Sequence, residues 1–372
     1  MSTSLVRIDL ATLANNIERI RAELPESLKV LFAVKSDAYG HGIEAVSHIA
    51  EETGVEYLGV ATVEEGVSIR HAGVKLPVLL LGPVLHSEAS VALDLDLTFQ
   101  VSDIEFAEFL SHLAQQTKKK VRVQVNVDTG MHRFGVRSEN ALLLLTKLRT
   151  LPAVDIVGIF SHLSAAASEL PDDQSYTMQQ IEHFKSLLAE LDHANLLPPL
   201  RHIGNSAGLI QYRDRVTSPR VNMVRIGTLF YGYLEVRRPW AKGVNPVATL
   251  TTRVIALKEL APGDYVGYGR TYKTSCHQRI AILSIGYGSG ISPHLANCGE
   301  VWLKERYAPV IGKICLDHTT VDVTNIDGVS VGDEVEVFGL HLPADHLAEM
   351  AKLPVSEVLV PALRGAANRV YQ

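Results

Sequence analysis

Residues 121–160, VRVQVNVDTGMHRFGVRSENALLLLTKLRTLPAVDIVGIF, contain two strand-like runs with an amphipathic stretch between them. Val121–Val127 and Val154–Phe160 are rich in the β-branched residues that favour strands. Glu139–Arg149 begins with polar residues and then carries apolar side chains at three- and four-residue spacing, which is typical of a helix. A strand, a helix and a second strand in this order predict one unit of a parallel sheet.

The same alternation extends in both directions, from residue 28 to about residue 232. The predicted strands are Val30–Val34, Tyr57–Thr62, Val78–Leu81, Leu97–Val101, Val121–Val127, Val154–Phe160, Leu200–Ile203 and Met223–Ile226. Helices are predicted between them, for example over Asp103–Gln115 and Gln174–Asp192. Eight strands alternating with helices over about 230 residues predict an α/β fold of the TIM (β/α)8 barrel type.

The pattern changes after Pro239, where strand-like runs are separated by Gly, Asp and Pro turns. The predicted strands here are Val247–Leu257, Gln278–Ser284, Glu300–Trp302, Tyr307–Ile311, Thr319–Val323 and Glu334–Phe338, and one late helix is predicted over His346–Lys352. We therefore predict a barrel over residues 1–238 and a mostly β domain over residues 239–372. Whether a first strand over residues 5–10 packs with the second domain is left open.

Composition excludes several classes of protein. The 41 acidic and 35 basic residues are scattered along the 372-residue chain, so no basic stripe predicts nucleic-acid binding. Three cysteines without C-x-x-C spacing suggest neither a disulfide framework nor a zinc site, and no histidine pair has metal-ligand spacing. No apolar run is long enough to predict a membrane span or a signal segment. We expect a cytoplasmic protein without a metal.

Chemically active residues follow the predicted strands, where a TIM barrel carries its active site. In chain order they are Lys35, Arg133, His162, Asn205, Ser206, Arg225 and Gly227. Barrels often bind phosphate after their last two strands, so Ser206 and the backbone N–H groups of Gly227 and Thr228 are candidates for a phosphate site. A lysine that ends a buried strand is costly unless it is paired, desolvated or used covalently; the simpler interpretation of Lys35 is a lysine at the barrel rim.

The stretch Ala33–Gly42, AVKSDAYGHG, resembles the pyridoxal-phosphate (PLP) attachment signature of alanine racemases. Further segments resemble the same family in order and spacing: DTGM (128–131), NSA (205–207), NMVRIG (222–227), VGYG (266–269), IGY (285–287) and CLD (315–317). The resemblance covers nearly the whole chain, from Arg7 to Arg369.

This resemblance implies a PLP-dependent isomerase that racemises alanine and supplies D-alanine for peptidoglycan. Racemisation requires the α-hydrogen to leave one face of the amino acid and return to the other, and PLP acts as the electron sink. Lys35 would hold PLP and serve one face. Tyr268 would serve the other face in the active site of a partner subunit, which implies a homodimer.

The resemblance also assigns roles to other positions. Arg225 would face the pyridine nitrogen of PLP, with His202 bonded to it, and His162 would lower the pKa of the tyrosine base. PLP contacts are implied for Tyr39, Asn205, Ser206, Gly227 and Thr228. Substrate contacts are implied for Arg133 and Leu316 at the carboxylate, and for Tyr287 and Asp317 at the entrance.

Four positions depart from the family pattern: Asn126 replaces a lysine that is often carbamylated, Leu316 a methionine, His318 a glutamine and Ser356 a tyrosine. A neutral Asn126 leaves Arg133 without an anionic partner, so we expect an anion, most simply chloride, between them; water or a nearby carboxylate is the alternative. The replacements also leave open a racemase for serine or for a wider range of amino acids. A barrel-type PLP decarboxylase that uses Cys315 as its acid, and a PLP-binding protein without catalysis, are the further alternatives.

Overall fold

The computed structural model describes residues 4–366 and 368–372. Its strands are β1 (Leu5–Ile8), β2 (Lys29–Ala33), β3 (Tyr57–Val60), β4 (Val78–Leu80), β5 (Phe99–Val101), β6 (Val121–Asp128), β7 (Val136–Arg137), β8 (Val154–Phe160), β9 (Leu200–His202), β10 (Met223–Ile226), β11 (Ala248–Leu260), β12 (Tyr265–Val266), β13 (Tyr272–Lys273), β14 (Gln278–Leu283), β15 (Glu300–Leu303), β16 (Arg306–Pro309), β17 (Thr319–Asp322), β18 (Glu334–Phe338) and β19 (Asn368–Tyr371). Its helices are α1 (Leu10–Arg21), α2 (Lys35–Tyr39), α3 (Ile43–Glu52), α4 (Val63–His71), α5 (Ala89–Asp94), α6 (Ile104–Gln116), α7 (Ser138–Leu148), α8 (Pro171–His193), α9 (Ser206–Val216), α10 (Ala344–Ala351) and α11 (Val355–Gly365).

Eight parallel strands form the predicted barrel, in the order β10-β2-β3-β4 and then β5-β6-β8-β9. A parallel bridge between Leu79 and Thr98 joins β4 to β5. On the other side, the N–H of Arg225 donates to the carbonyl of Gly204 (3.0 Å), which brings the end of β9 beside β10. The TIM-barrel prediction is therefore confirmed, and each of the eight predicted runs overlaps one of these strands.

The helices around the barrel begin where the sequence supplies caps. Asp103 accepts from the N–H of Phe106 (2.8 Å) at the start of α6, and Thr62 and Glu65 form a capping box at the start of α4. Each helix buries one face; in α6 this face includes Ala107 and Leu110. Burial of a leucine side chain contributes about 1.5–3 kcal/mol, so such faces hold the helices on the barrel. Among the described helices, none is both long and apolar enough to cross a bilayer.

The C-terminal part is the expected mostly β structure, with strand order β16-β15-β18-β11-β1-β19 and with β14 pairing with β11 and β17. Strand β1 lies in this sheet, where Leu5 is opposite Thr251 of β11 and Asn368 of β19. Helix α11 and strand β19 were not predicted. Helix α11 contains Pro361, and a proline argues against a helix when only the sequence is known. Strand β19 is short and mostly exposed, so only its pairing with β1 identifies it as a strand.

Candidate active site

The turn that carries Lys35 has an unusual backbone. Residues 36–39 all have positive φ values, between 54° and 56°. This conformation costs roughly 1–2 kcal/mol per non-glycine residue, so other groups must hold the turn. The Glu65 carboxylate accepts from the N–H groups of Ser36 and Asp37, and Arg369 donates to the Asp37 carboxylate (2.7 Å). The strain therefore lies directly beside the candidate nucleophile, as is common at functional sites.

Two adjoining cavities open at the carboxyl ends of the barrel strands, and Lys35, Leu81, His162 and Arg225 line both. The first, called the Arg133 cavity, is lined in addition by Asn126, Val127, Asp128, Met131, Arg133, Phe134, Phe160 and Ser161. The second, called the Ser206 cavity, is lined in addition by Ala33, Tyr39, Asn205, Ser206, Gly227, Thr228, Glu235 and Ser356. The structure thus brings the candidate residues of the barrel together around the two cavities, except for His202, which lines neither and contacts Arg225.

The Lys35 amine lies in a cationic environment. Burial lowers the pKa of Lys35, and the positive charges of Arg133 and Arg225 lower it further, whereas Glu65 acts in the opposite direction. Its Nζ lies 6.0 Å from the centre of the Tyr39 ring. A lowered pKa increases the fraction of neutral amine at neutral pH, which is the form that attacks an aldehyde or accepts a proton.

Arg225 is 4% exposed and is held by two histidines. One guanidinium nitrogen donates to Nδ1 of His202 (2.9 Å); the other donates to Nδ1 of His162 and to the carbonyl of Ser161 (both 2.8 Å). Burial, together with Arg133, lowers the pKa of Arg225 to about 9, so it still carries its charge at neutral pH. Burial and the charge of Arg225 lower the pKa of both histidines well below its usual value, which keeps the two rings neutral.

The Ser206 cavity combines hydroxyl groups with a helix N-terminus. Asn205 caps α9 by accepting from the N–H of Gly208 (2.8 Å), and Ser206 is the first residue of that helix. The N–H of Gly227 donates to the Ser206 hydroxyl (2.9 Å). A Cβ at Gly227 would lie 3.2 Å from the Tyr39 hydroxyl, so the two residues are close neighbours. Hydroxyls, backbone N–H groups and a helix N-terminus suit a phosphate.

An acidic residue that the sequence analysis did not identify lies in the same cavity. Glu235 is hydrogen-bonded to the Thr228 side chain, and burial raises the pKa of its carboxyl. Its negative charge contributes in turn to the raised pKa of Tyr39, for which burial is the larger cause. Ser356, where the family pattern has a tyrosine, lines the cavity beside these groups.

Arg133 is presented by a loop that Asp128 organises. The Asp128 carboxylate accepts from the N–H groups of Gly130 (2.9 Å) and His132 (3.0 Å) and from Nδ1 of His132 (2.9 Å). Burial acts to raise the pKa of Asp128, but these hydrogen bonds outweigh it and the pKa is lowered. The Arg133 guanidinium lies 5.4 Å from the centre of the Phe134 ring and has no ion-pair partner among the described residues. It is therefore free to bind an anion in the cavity.

Asn126 has a neutral partner. Its side-chain N–H₂ donates to Oε1 of the buried Gln100 on the neighbouring strand β5 (2.8 Å). Only one of the two amide hydrogens is used in this bond, so the other remains available to a group in the Arg133 cavity.

Tyr268, Tyr287, Leu316 and Asp317 lie apart from both cavities of their own chain. The side chains of Tyr268, Tyr287 and Leu316 are 72%, 49% and 51% exposed. The N–H of Gly288 donates to the carbonyl of Leu316 (2.8 Å), which holds two of these segments together. A single chain thus presents these groups outward instead of bringing them to Lys35.

Several supporting residues carried only a faint signal in the sequence. Glu65 was detectable as the last residue of the capping box T-V-E-E (62–65), but its contact with the turn after Lys35 was not. Gln100 and Gln124 face their partners Asn126 and His202 only because the barrel brings different strands together. Glu235 meets Thr228 within the segment that follows β10. No sequence motif marks any of the three: Gln100 and Gln124 alternate with apolar residues in strand-like runs, and Glu235 is a single acidic residue in the segment after β10.

Comparison with known proteins identifies the relatives of this chain. Residues 8–235 match the family model for the N-terminal domain of alanine racemase, and residues 247–371 match the model for its C-terminal domain. The chain is 37% identical to an alanine racemase of Halothermothrix orenii over 334 residues, 89% of this chain and 86% of the relative. It is 33% identical to alanine racemase 2 of Caldanaerobacter subterraneus over 359 residues, 95% of this chain and 91% of the relative. The alanine racemase structure from D-cycloserine-producing Streptomyces lavendulae superposes with a TM-score of 0.89 at 26% identity, covering 100% of this chain and 97% of that one.

The charge of Arg133 generates a prediction about Lys35. Arg133→Gln removes a positive neighbour and should raise the pKa of the Lys35 amine, so its labelling at pH 7–8 should slow several-fold. The rate is measured against pH by reductive methylation of the cofactor-free protein, with mass spectrometry of the Lys35 peptide. Arg137→Gln is the matched control, because Arg137 is exposed and pairs with Glu139 outside both cavities. Equal labelling curves for the two variants would contradict the assignment.

Proposed function

Since this chain belongs to the alanine racemase family, we propose that it interconverts L-alanine and D-alanine with PLP as cofactor and with Lys35 and Tyr268 as the two acid/base groups. The observation that carries the proposal is the pair of cavities that share Lys35 and Arg225. An amine with a lowered pKa lies between candidate phosphate-binding groups and an arginine without an ion-pair partner among the described residues, which supports the proposal because an amino acid and PLP need such groups together.

The residues present fit PLP. The Ser206 cavity would hold the phosphate, with Tyr39, Ser206, Asn205, Gly227 and Thr228 around it. Nε of Arg225 has no partner among the described residues, so it is free to face the ring nitrogen, with His162 and His202 fixing the guanidinium. When bound, PLP supplies an electron sink that makes the α-hydrogen of an amino acid removable.

The residues of this chain divide the remaining work. Lys35 holds or releases a proton at Nζ on one face of the substrate, which its lowered pKa permits. Arg225 would hydrogen-bond to the ring nitrogen without transferring its proton, because a guanidinium remains protonated. This limits charge build-up on the cofactor and disfavours side reactions. Arg133 binds the substrate carboxylate as a planar donor pair.

The working unit is a homodimer in which residues 239–372 carry Tyr268 to the other face of the substrate in the partner's barrel, domain 1–238. The exposure of Tyr268, Tyr287 and Leu316 supports this arrangement. These side chains line neither cavity of their own chain, so they are available to contact a second copy. Leu316, Tyr287 and Asp317 then complete the substrate entrance. The product D-alanine serves peptidoglycan, and the enzyme acts in the cytoplasm.

Substitution of Tyr268 tests the two-base assignment. Tyr268→Phe should reduce exchange of the α-hydrogen with deuterated solvent by about 10²-fold or more for one enantiomer, and far less for the other. Single-turnover exchange is followed by mass spectrometry with each enantiomer separately. Tyr265→Phe, three residues earlier and also exposed, is the control and should show no such asymmetry. Equal losses for both enantiomers would refute the assignment, and release of carbon dioxide would favour a decarboxylase instead.

A wider substrate range is the second candidate, because Ser356 lines the same cavity as Lys35 and leaves space where the family pattern has a tyrosine. Serine is then the expected additional substrate. Ser356→Tyr should raise the ratio of kcat/KM for alanine to that for serine by about tenfold. Ser356→Thr, which adds one methyl group, should give an intermediate ratio. An unchanged ratio in both variants would remove Ser356 from the control of substrate choice.

A chloride ion between Asn126 and Arg133 is proposed to replace the negative charge of a carbamylated lysine. Asn126 and Arg133 both line the Arg133 cavity, and the Asn126 amide keeps one hydrogen beyond its bond to Gln100. Activity should fall when chloride is replaced by gluconate at constant ionic strength, and bromide should give an anomalous peak between the two residues. Asn126→Asp supplies a fixed negative charge and should make turnover independent of halide. A water at this position, together with halide-independent turnover of the unmodified protein, would refute the proposal.

A further inference from the structure

Three buried side chains form a chain of hydrogen bonds inside the barrel, from β6 through β9 to β10. Oε1 of Gln124 lies 2.7 Å from Nε2 of His202, and Nδ1 of His202 lies 2.9 Å from a guanidinium nitrogen of Arg225. Gln124 and His202 are 0% exposed and Arg225 is 4% exposed. Bulk water therefore does not compete for these hydrogen bonds.

The direction of these bonds follows from what each group can do. A guanidinium only donates, so Nδ1 of His202 must be an unprotonated acceptor. His202 is neutral because burial and Arg225 lower its pKa, and its one ring proton therefore lies on Nε2. That N–H requires an acceptor, which Oε1 of Gln124 provides. The reverse orientation of the amide would set one donor against another.

The Gln124 side chain is confined to this position. Gly158 lies beside it on β8, and a Cβ there would come within 2.7 Å of Oε1 and 2.8 Å of Cδ of Gln124. Phe160 stacks on His202 with ring centres 5.1 Å apart and planes 11° apart. The amide N–H₂ of Gln124 is buried and has no partner among the described residues. An unsatisfied buried donor is costly, so the bond from His202 to Oε1 is kept at the expense of the amide N–H₂.

We propose that Gln124 is a positioning residue for the reaction: by accepting from Nε2 without attracting a second proton, it keeps His202 a neutral acceptor that aims Arg225 at the cofactor. The aiming of Arg225 at the cofactor rests on the proposed function, whereas the protonation state of His202 does not. Arg225 is the charged side chain that acts on His202 among the described residues, and Gln124 of β6 and Phe160 of the neighbouring strand β8 contact its ring.

Two nearly isosteric substitutions separate the two parts of this role. Gln124→Glu keeps an acceptor but adds a negative charge, so His202 should take up a second proton and lose its bond to Arg225. Gln124→Met keeps His202 neutral and removes the acceptor, so the Nε2–H loses its hydrogen bond.

The state of His202 is read by ¹⁵N and ¹H NMR of the imidazole groups in the cofactor-free protein at pH 7. We expect one protonated ring nitrogen in the unmodified protein, two in Gln124→Glu, and in Gln124→Met an Nε2–H resonance shifted upfield. His41, a second fully buried histidine bonded through Nδ1 to the carbonyl of Ala38, is the internal reference and should not change. His202 signals identical in all three proteins would overturn the proposal.

Kinetics of the PLP-loaded proteins test the effect on Arg225. Gln124→Glu should lower kcat by about 10- to 100-fold in both directions, with a smaller change in KM and with partial recovery as rising pH removes the added proton. Unchanged kcat despite a protonated His202 would overturn the link to the cofactor. Absence of racemisation in the unmodified protein would refute the proposed function, while the NMR result would still decide the state of His202.

Discussion

The buried guanidinium of Arg225 is the constraint on which the rest of the site depends. Removing such a charge from water costs several kcal/mol, and the group cannot escape the cost by releasing its proton at neutral pH. Two imidazole nitrogens and three backbone carbonyls, those of Ser161, His202 and Ile203, therefore surround it. Because these nitrogens must accept, both histidines are held neutral. Burial and this one buried cation thus set the protonation state of His162 and His202 together.

The same excess of positive charge extends to the cavities. Lys35, Arg133 and Arg225 line a common cavity, and the carboxylate of Glu65 accepts from the backbone N–H groups of Ser36, Asp37 and Ala61. The field lowers the pKa of the lysine and at the same time attracts anions. A phosphate at one end and a carboxylate at the other would therefore reduce this positive charge, while burial, the largest cause of the lowered pKa of Lys35, would remain.

The barrel could be predicted from sequence because its strands are apolar runs of β-branched residues that repeat with helical segments between them. The PLP signature around Lys35 could be recognised because it is continuous. Gln124 and Gln100 could not, since their partners lie on other strands and no local pattern distinguishes a buried hydrogen-bonded glutamine from a surface one. Glu235 could not either, because nothing local marks its carboxyl as buried beside Thr228. Helix α11 was missed because Pro361 argues against a helix when its packing is unknown.

The position of Lys35 also depends on the opposite end of the chain. Arg369 of β19 donates to Asp37 in the strained turn, and a Cβ at Gly40 would lie 2.6 Å from Cβ of Leu363 in α11. Strand β19 is fixed in turn by parallel pairing with β1. The barrel therefore supplies the strand that ends at Lys35, but the C-terminal residues stabilise the left-handed turn that follows it. Residues on both sides of Pro239 therefore hold the turn that carries Lys35.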